Sequence, residues 1–268
     1  MTRTRWWAGV VLLALFAVAL AAPWIAPHAP ELQLHETVGA WQPPSWAHPM
    51  GTDSFARDVL SRVIHGGRVS LTIAGLAVIV ALAVGGAVGA TAALAGGVGD
   101  ALLMRATDTM LAIPRLLLLL LAVASFGAVT PTGLALLLGA TGWMGAARLV
   151  RQETLRLLTT DYVRAARALG VPPLALLRRH ILPGLAPTLA VAAVLAFAAA
   201  VPLEAGLSYL GIGVRPPIAS WGNIILDAES RPLRHWWLVL FPVLAITVSV
   251  LAANVLAERI ARTDERPR

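Results

Sequence analysis

The sequence contains no cysteine and no lysine, and charged residues make up only 13% of its 268 positions. The absence of cysteine excludes disulfide bonds, thiolate metal ligands and cysteine nucleophiles. A typical soluble domain carries about 25% charged residues, whereas 58% of this chain is hydrophobic. We therefore expect an all-α membrane protein, because a water-exposed surface of ordinary size cannot be built from this composition.

Motifs for catalysis and for nucleotide binding are also absent. The six histidines include no H-E-x-x-H pair, and the sequence holds no G-x-x-x-x-G-K-[ST] phosphate loop. His28, Glu31 and His35 lie close together in sequence. Two interpretations of this group are possible, a metal site and an ordinary solvated loop. We expect the loop, and hence no metal ligands, no catalytic residues and no cofactor bound by this chain.

Six apolar stretches are long enough to cross a bilayer, which takes roughly 20 helical residues. They cover residues 6–25, 71–95, 109–128, 132–150, about 186–207 and 236 to about 256. Pro114 and Pro202 are expected to interrupt and bend the third and fifth helices, because proline removes a backbone donor and clashes with the preceding turn.

The arginines predict which side of the membrane each loop faces. Short cytoplasmic loops hold an excess of basic residues, and a cytoplasmic N-terminus places most of the 21 arginines on that side. Both termini are therefore predicted to be cytoplasmic, and the net charge of +7 requires no nucleic-acid partner. An alternative interpretation of the N-terminal stretch is a cleaved secretory signal, with Arg3 and Arg5 before the apolar core and the small pair Ala21-Ala22 at the cleavage site. Cleavage would leave five spans.

Charge inside the predicted spans is scarce. Glu204 is the one acid well inside a span, whereas a carrier driven by protons or sodium usually needs such acids or unwound segments near the midplane. Two roles are possible for its carboxylate: it faces a pathway, or it caps the backbone near Pro202. Gly85 and Gly89 share one helix face, which allows close approach by another helix of this chain, the interpretation we favour, or by another subunit.

The largest predicted cytoplasmic segment, residues 151–185, contains two short helices. Asp161 is expected to cap the first helix and Gly170 to end it, and the second is predicted over residues 174–179. One face of the first helix is small and apolar, formed by Tyr162, Ala165, Ala166 and Leu169. Such a face suits docking into a groove of a partner protein; a basic helix lying on anionic lipid is the alternative.

This segment resembles the cytoplasmic loop of ABC-importer permeases. The pattern of that loop is E-A-A, three residues, G, nine residues and I-x-L-P, and the spacing is matched by Ala165, Ala166, Gly170, Leu182 and Pro183. Two positions depart from the pattern, because Arg164 stands where Glu is expected and His180 where Ile is expected.

Three further stretches narrow the resemblance to the dipeptide, oligopeptide and nickel permeases. Residues 48–62 are similar to H-P-L-G-T-D-x-x-G-R-D-V-L-S-R, with Ala56 in place of the usual Gly. Residues 100–114 are similar to D…M-R…D…A-I-P, and residues around 204–223 to L-E-A-x-L-S-F-L-G-L-G-x-x-P-P-x-x-S-W-G-N. The long loop before the second span resembles that of the "C" partner in a pair of homologous permeases.

The resemblance implies a type I ABC-importer (MetI-like) permease of the bacterial inner membrane. Residues 1–70 would form the N-terminal span and an extracytoplasmic segment, 71–260 a core of five spans with the coupling loop, and 261–268 a short tail. The implied partners are a homologous second permease, two ATPase subunits that bind ATP and Mg, an extracytoplasmic solute-binding protein and membrane lipid. The substrate would be a peptide-like or related small solute.

The resemblance also assigns roles to individual residues. The loop that couples the chain to the ATPases would contain Asp161, Arg164, Ala165, Ala166, Arg167, Gly170, His180, Leu182 and Pro183. The candidates for the translocation pathway are Glu204, Ser208, Trp221 and Asn223. A channel or secondary carrier without an ATPase and an intramembrane enzyme are the alternatives; the few buried acids and the missing catalytic motifs count against both.

Overall fold

The computed structural model describes residues 6–35, 38–127 and 129–264, and these residues form helices joined by irregular segments. In chain order the helices are α1 Trp6–Leu20, α2 Ala22–Ile25, α3 Val59–Ala95, α4 Gly97–Ala112, α5 Arg115–Phe126, α6 Pro131–Ala140, α7 Trp143–Leu158, α8 Asp161–Ala168, α9 Pro173–Leu176, α10 Leu182–Tyr209, α11 Trp221–Leu226 and α12 Trp237–Asp264. A single turn of π-helix, Leu177–Ile181, joins α9 to α10. The predicted all-α class is confirmed.

Three helices are long and apolar enough to cross a membrane individually: α3, the continuous helix Pro173–Tyr209, and α12 over Trp237–Arg262. Two bent pairs, α4 with α5 and α6 with α7, raise the number to five if each pair is one span. The apolar helix at Trp7–Leu20 is shorter than these. The described residues therefore contain three to five candidate spans, and the sixth span and the side faced by each terminus stay predictions.

Helix α3 begins at Val59, well before the start predicted at residue 71. Asp58 caps its first turn by accepting a hydrogen bond of 2.8 Å from the Ser61 backbone N–H. Hydropathy misses this turn because it carries Arg62, which is buried among acidic partners. The predicted boundary between residues 70 and 71 therefore falls inside one helix and is wrong as a division of the structure.

The third and fourth predicted spans are both broken. Helices α4 and α5 meet at an angle of 83° on either side of Ile113-Pro114, and α6 and α7 meet at 44° around Thr141-Gly142. The break expected at Pro114 is thus confirmed. The interruption expected at Pro202 is wrong, because α10 continues through this residue to Tyr209.

The core is built around α3, which packs against α1, α6, α7 and α10. One apolar cluster joins α1, α3, α10 and α12 and includes Leu12, Leu71, Phe197 and Ala252. The contact with α7 depends on Gly85 and Gly89: a Cβ atom at Gly89 would overlap the Ala147 carbonyl oxygen, and one at Gly85 would lie 2.5 Å from that of Trp143. These glycines therefore serve packing within the chain, as favoured from the sequence.

Candidate functional site

The predicted coupling helix is α8. The structure confirms the predicted end of this helix but not its predicted cap. Thr160 occupies the cap position and Asp161 is the first helical residue, with no side-chain hydrogen bond at the cap, so the cap expected at Asp161 is wrong. Gly170 ends the helix as expected, with φ +77°. The Val171 N–H closes the turn by donating to the Ala166 carbonyl at 3.2 Å.

Helix α8 is anchored to the chain along one side only. Val163 and Ala166 are buried in an apolar cluster with Leu157, Leu176 and Ile181. Ala166 thus faces the chain's own core instead of the predicted docking face. The other side chains of that face, Tyr162, Ala165 and Leu169, are exposed, and Leu169 is 85% accessible. The exposed side of α8 is therefore partly apolar and partly basic.

The basic side chains of this segment are exposed. Arg164 and Arg167 on α8, and Arg178 and Arg179 in the π-helical turn, are all exposed, and within the part of the chain that the structure describes none of them forms an ion pair. A short helix is predicted at residues 174–179, and the structure places α9 and the π turn there. The turn leads directly into α10, so no loop separates this segment from a long apolar helix.

The remaining residues of the predicted coupling loop lie where the π turn meets α10. Leu182 and Pro183 are exposed, and His180 is half-buried. The Tyr162 hydroxyl lies 3.5 Å from the His180 carbonyl oxygen, at the limit of a hydrogen bond. The structure therefore gathers the predicted loop residues on α8 and at the beginning of α10.

The four pathway candidates are brought together between α10 and α11, and all four are at most 2% exposed. On α10, the Ser208 hydroxyl donates to Glu204 Oε1 at 2.7 Å and accepts from the Val214 N–H at 2.9 Å. In this conformation Glu204 and Ser208 hold the end of α10 to the loop that follows it. Since α10 is unbroken at Pro202, Glu204 caps no helix break there.

The two candidates on α11 are also held by hydrogen bonds. Trp221 Nε1 donates to the Val63 carbonyl of α3 at 3.0 Å, and Asn223 Nδ2 donates to the Ile218 carbonyl at 2.7 Å. Asn223 completes a capping box with Ser220 at the beginning of α11. The Trp221 contact fastens α11 to α3, and the Asn223 contacts hold the beginning of α11. The pathway role of the four residues stays a prediction.

A buried ion cluster at the beginning of α3 was missed in the sequence. Arg57 Nε donates to Asp53 Oδ2 at 2.6 Å and its NH2 group reaches Asp227 at 3.2 Å, while Arg62 NH1 contacts both carboxylates. Arg62 and Asp53 are at most 1% exposed. The charge alternation in residues 53–62 is the signal for the local pairs, but the partner Asp227 lies far along the chain.

Two histidines and an aspartate meet beside this ion cluster. His48 Nδ1 lies 2.9 Å from Asp58 Oδ1, and the ring centroids of His28 and His48 are 5.7 Å apart. The sequence grouped His28 with Glu31 and His35, whereas the structure places it with His48 and Asp58. No local spacing in the sequence indicates this group.

A cavity of about 370 Å³ was also not anticipated. Its walls come from α3, from the beginning of α6 and from the loop before α11, and they are mainly apolar. The charged or titratable residues at its edge are Glu31, His65 and Arg68. The pathway candidates do not line it.

Comparison with known proteins places these features in a family context. Residues 85–263 match a family model described as "Binding-protein-dependent transport system inner membrane component". The chain is 40% identical over 254 residues to a putative peptide transport system permease protein of Brucella suis, which covers 93% of this chain and 83% of the relative. It is 33% identical over 249 residues to the dipeptide transport system permease protein DppC of Bacillus subtilis, covering 92% of this chain and 77% of the relative. The di/tripeptide transport system permease protein DppC of Pseudomonas aeruginosa is 37% identical over 255 residues, with 92% and 82% covered.

Proposed function

The chain belongs to the family of binding-protein-dependent transport system inner membrane components, and we propose that it forms half of the translocation pathway of an ATP-driven importer for short peptides. As a member of this family it is an ABC transporter permease of the inner membrane and is not itself catalytic. The relatives named as dipeptide and di/tripeptide permeases support a peptide as the substrate. Within the wider family resemblance, an oligopeptide or nickel is the alternative cargo.

The proposed complex contains a homologous second permease, two ATPase subunits and an extracytoplasmic solute-binding protein. The family description itself specifies dependence on a binding protein. The absence of a phosphate loop from this sequence supports ATP and Mg binding by other subunits.

The proposed contact with an ATPase is the exposed side of α8 together with the π turn. This contact carries the proposal, because Tyr162 and Leu169 expose apolar surface while Val163 and Ala166 on the opposite side anchor the helix to the core. The exposed arginines of the segment form no ion pair with any residue that the structure describes, and they would meet acidic groups around a cleft. Binding of anionic lipid to the same side chains is the alternative.

Coupling through this segment follows from its connection to α10. Closure of two ATP-bound ATPases would draw the α8 segments of the two permeases together, and hydrolysis would release them. A transition between two states of the pathway requires a bias of a few kcal/mol, which ATP binding can supply only through a contact that differs between the states. The α8 segment is the proposed place of that contact.

Six spans and two cytoplasmic termini complete the proposal. The three long helices and the two bent pairs account for five spans, and α1 with α2 supplies the sixth. The basic side chains of the α8 segment would then lie on the cytoplasmic side with most of the other arginines.

A pull-down from the native membrane in mild detergent tests the complex. We expect mass spectrometry to identify a second permease and two ATPases with this chain, and a binding protein under crosslinking. Recovery of the chain alone, in a preparation shown to keep other complexes intact, would contradict the proposal.

A second experiment separates an ATP-driven importer from a channel or secondary carrier. Peptide uptake is measured in cells depleted of ATP while the ion gradient is maintained. We expect uptake to stop. Continued uptake at the original rate would favour transport without an ATPase.

A further inference from the structure

His28, His48 and Asp58 come from three separate places in the chain and meet at the beginning of α3. His28 follows α2, His48 lies in the long loop, and Asp58 is the cap residue of α3. Each offers one ligand atom, and the three atoms lie within 4.8 Å of one another. Two imidazoles and one carboxylate form a donor set typical of Zn²⁺ and related first-row transition ions, with the remaining positions taken by water.

The spacing of two of these atoms suits a shared ion. His48 Nδ1 and Asp58 Oδ1 are 2.9 Å apart, and two ligands each about 2.1 Å from one ion subtend roughly a right angle at that separation. Both residues are buried, at 6% and 2% exposure. An ion held between them would therefore be largely shielded from water.

His28 supplies the second observation. Its Nδ1 atom is buried and has no hydrogen-bond partner among the described residues. A buried polar atom without a partner is costly, so such an atom in a folded protein calls for an explanation. A metal ion bound through this nitrogen would satisfy it.

The three residues are positioned by a second set of contacts. Asp58 Oδ2 accepts hydrogen bonds from the Ser61 backbone N–H at 2.8 Å and from the Ser61 hydroxyl at 2.7 Å, which leaves Oδ1 directed at His48. The His28 backbone N–H donates to the same hydroxyl at 3.0 Å. Ser61 thus fixes both the carboxylate and the His28 backbone, as supporting residues do at metal sites.

The neighbouring arginines do not compete for Asp58. Arg57 and Arg62 form their ion pairs with Asp53 and Asp227 instead. The carboxylate of Asp58 is therefore available to the two histidines.

We propose that His28, His48 and Asp58 bind one divalent transition-metal ion of the Zn²⁺ type, which fastens the segment after α2 to the first turn of α3. The ion is resident and stabilising, and it is separate from the cargo, because its ligands include the residue that caps a long helix. The site belongs to this chain alone and does not depend on the proposed substrate.

Zinc titration of the purified full chain tests the site. The chain carries a histidine-free affinity tag, is stripped of metal in detergent and is titrated with Zn²⁺ against a chromophoric chelator. We expect one equivalent to bind, with a rise in the thermal unfolding midpoint that EDTA reverses. The variants His28→Gln and His48→Gln should each lose at least about tenfold in affinity.

His35→Gln is the matched control, because His35 is an exposed histidine in the same segment and the ligand suggested by sequence spacing. It should bind Zn²⁺ as the wild type does. Equal binding by wild type and His28→Gln, with both shown to be folded by circular dichroism, would overturn the proposal. An equal loss in His35→Gln would do the same. If His48→Gln does not fold, the half-buried His28 decides the outcome alone.

Discussion

Helix α3 has fully buried charges around its first turn, whereas the α8 segment packed near its last turn keeps its arginines exposed. With 37 residues in α3, the two regions are about 55 Å apart at about 1.5 Å per residue. At the first turn, Arg57 and Arg62 are shared by Asp53 and Asp227. At the other end the arginines have no acidic partner among the described residues.

This difference separates charge used for folding from charge available to a partner. A buried charge must be paired inside the chain, because an unpaired charge in a low-dielectric interior is strongly unfavourable. An exposed arginine has no such requirement and contributes little to stability. The charges of the ion cluster at the first turn of α3 are therefore paired within this chain, whereas the exposed arginines of α8 and the π turn are free to meet acidic groups of a partner.

The largest expected effect is on the buried ion cluster. In Arg62→Ala, Asp53 and Asp227 are left to share the single guanidinium of Arg57, so the free energy of unfolding should fall by about 3–5 kcal/mol. The measurement is denaturant unfolding in mixed micelles. Arg164→Ala, on the exposed side of α8, is the control and should change stability by no more than about 0.5 kcal/mol. Similar losses in both variants would remove the distinction between the two regions.

The next effect concerns the contact between α3 and α7 that connects the two regions. Gly89→Ala places a Cβ atom against the Ala147 carbonyl, and the forced separation should cost about 1–3 kcal/mol. Gly86→Ala is the control, because a Cβ atom there meets nothing within 4 Å. Thermal unfolding of both variants in detergent compares them, and equal midpoints would contradict the packing described here.

A smaller change in stability is expected at the end of α8, with a large effect on transport. Gly170→Val puts a β-branched side chain at φ +77°, at a cost of about 1–2 kcal/mol. The open space around Gly170 leaves backbone strain as the cause. We expect peptide uptake to fall sharply while the ATPases still hydrolyse ATP.

Gly170→Asn controls for the loss of glycine, since asparagine tolerates the left-handed conformation. It should retain most of the uptake. Full uptake by Gly170→Val would count against α8 as the coupling contact. If Gly170→Val loses uptake only in vesicles that lack anionic lipid, the result would favour the lipid alternative.

The smallest effect is expected at Glu204. Its side chain is buried like the ion cluster, but its contact in the structure is a hydrogen bond to Ser208 and not an ion pair. The amide oxygen of Glu204→Gln can still accept the Ser208 hydrogen bond, so we expect a change in stability below about 1.5 kcal/mol and nearly normal uptake. Uptake assays alongside Glu204→Ala distinguish the hydrogen bond from the charge. Normal stability with abolished uptake in the glutamine variant would instead support a pathway role for the carboxylate.

Local signals in the sequence predicted much of the region around α8. The end of α8 at Gly170 follows from the tolerance of glycine for positive φ. Elsewhere in the chain, the break at Pro114 follows in the same way from the missing N–H of proline. The face of α8 was partly mispredicted, because Ala166 packs on Leu176 and Ile181, which follow it in the chain. Which side of a short helix is buried depends on that packing.

The first turn of α3 was harder to predict, because its polar residues are satisfied at long range. Hydropathy excluded residues 59–70 from the span, although Asp227 and Asn223 lie within hydrogen-bonding distance of Arg62. The group of His28, His48 and Asp58 was invisible for the same reason. A sequence pattern reports neighbours along one helix or loop, whereas these partners are brought together only by the fold.

Residues 173–209 form one continuous helix that includes the π-helical turn at Leu177–Ile181, so no loop lies between this turn and the buried contacts of Glu204 and Ser208. A continuous helix resists a change in its length because backbone hydrogen bonds hold every turn, and its sites for bending are the π turn, Pro187 and Pro202. A displacement applied at the π turn would reach Ser208 without a loop between them to absorb it. In the proposed complex, a movement of the ATPase against the π turn would therefore reach Ser208 through the backbone of a single helix.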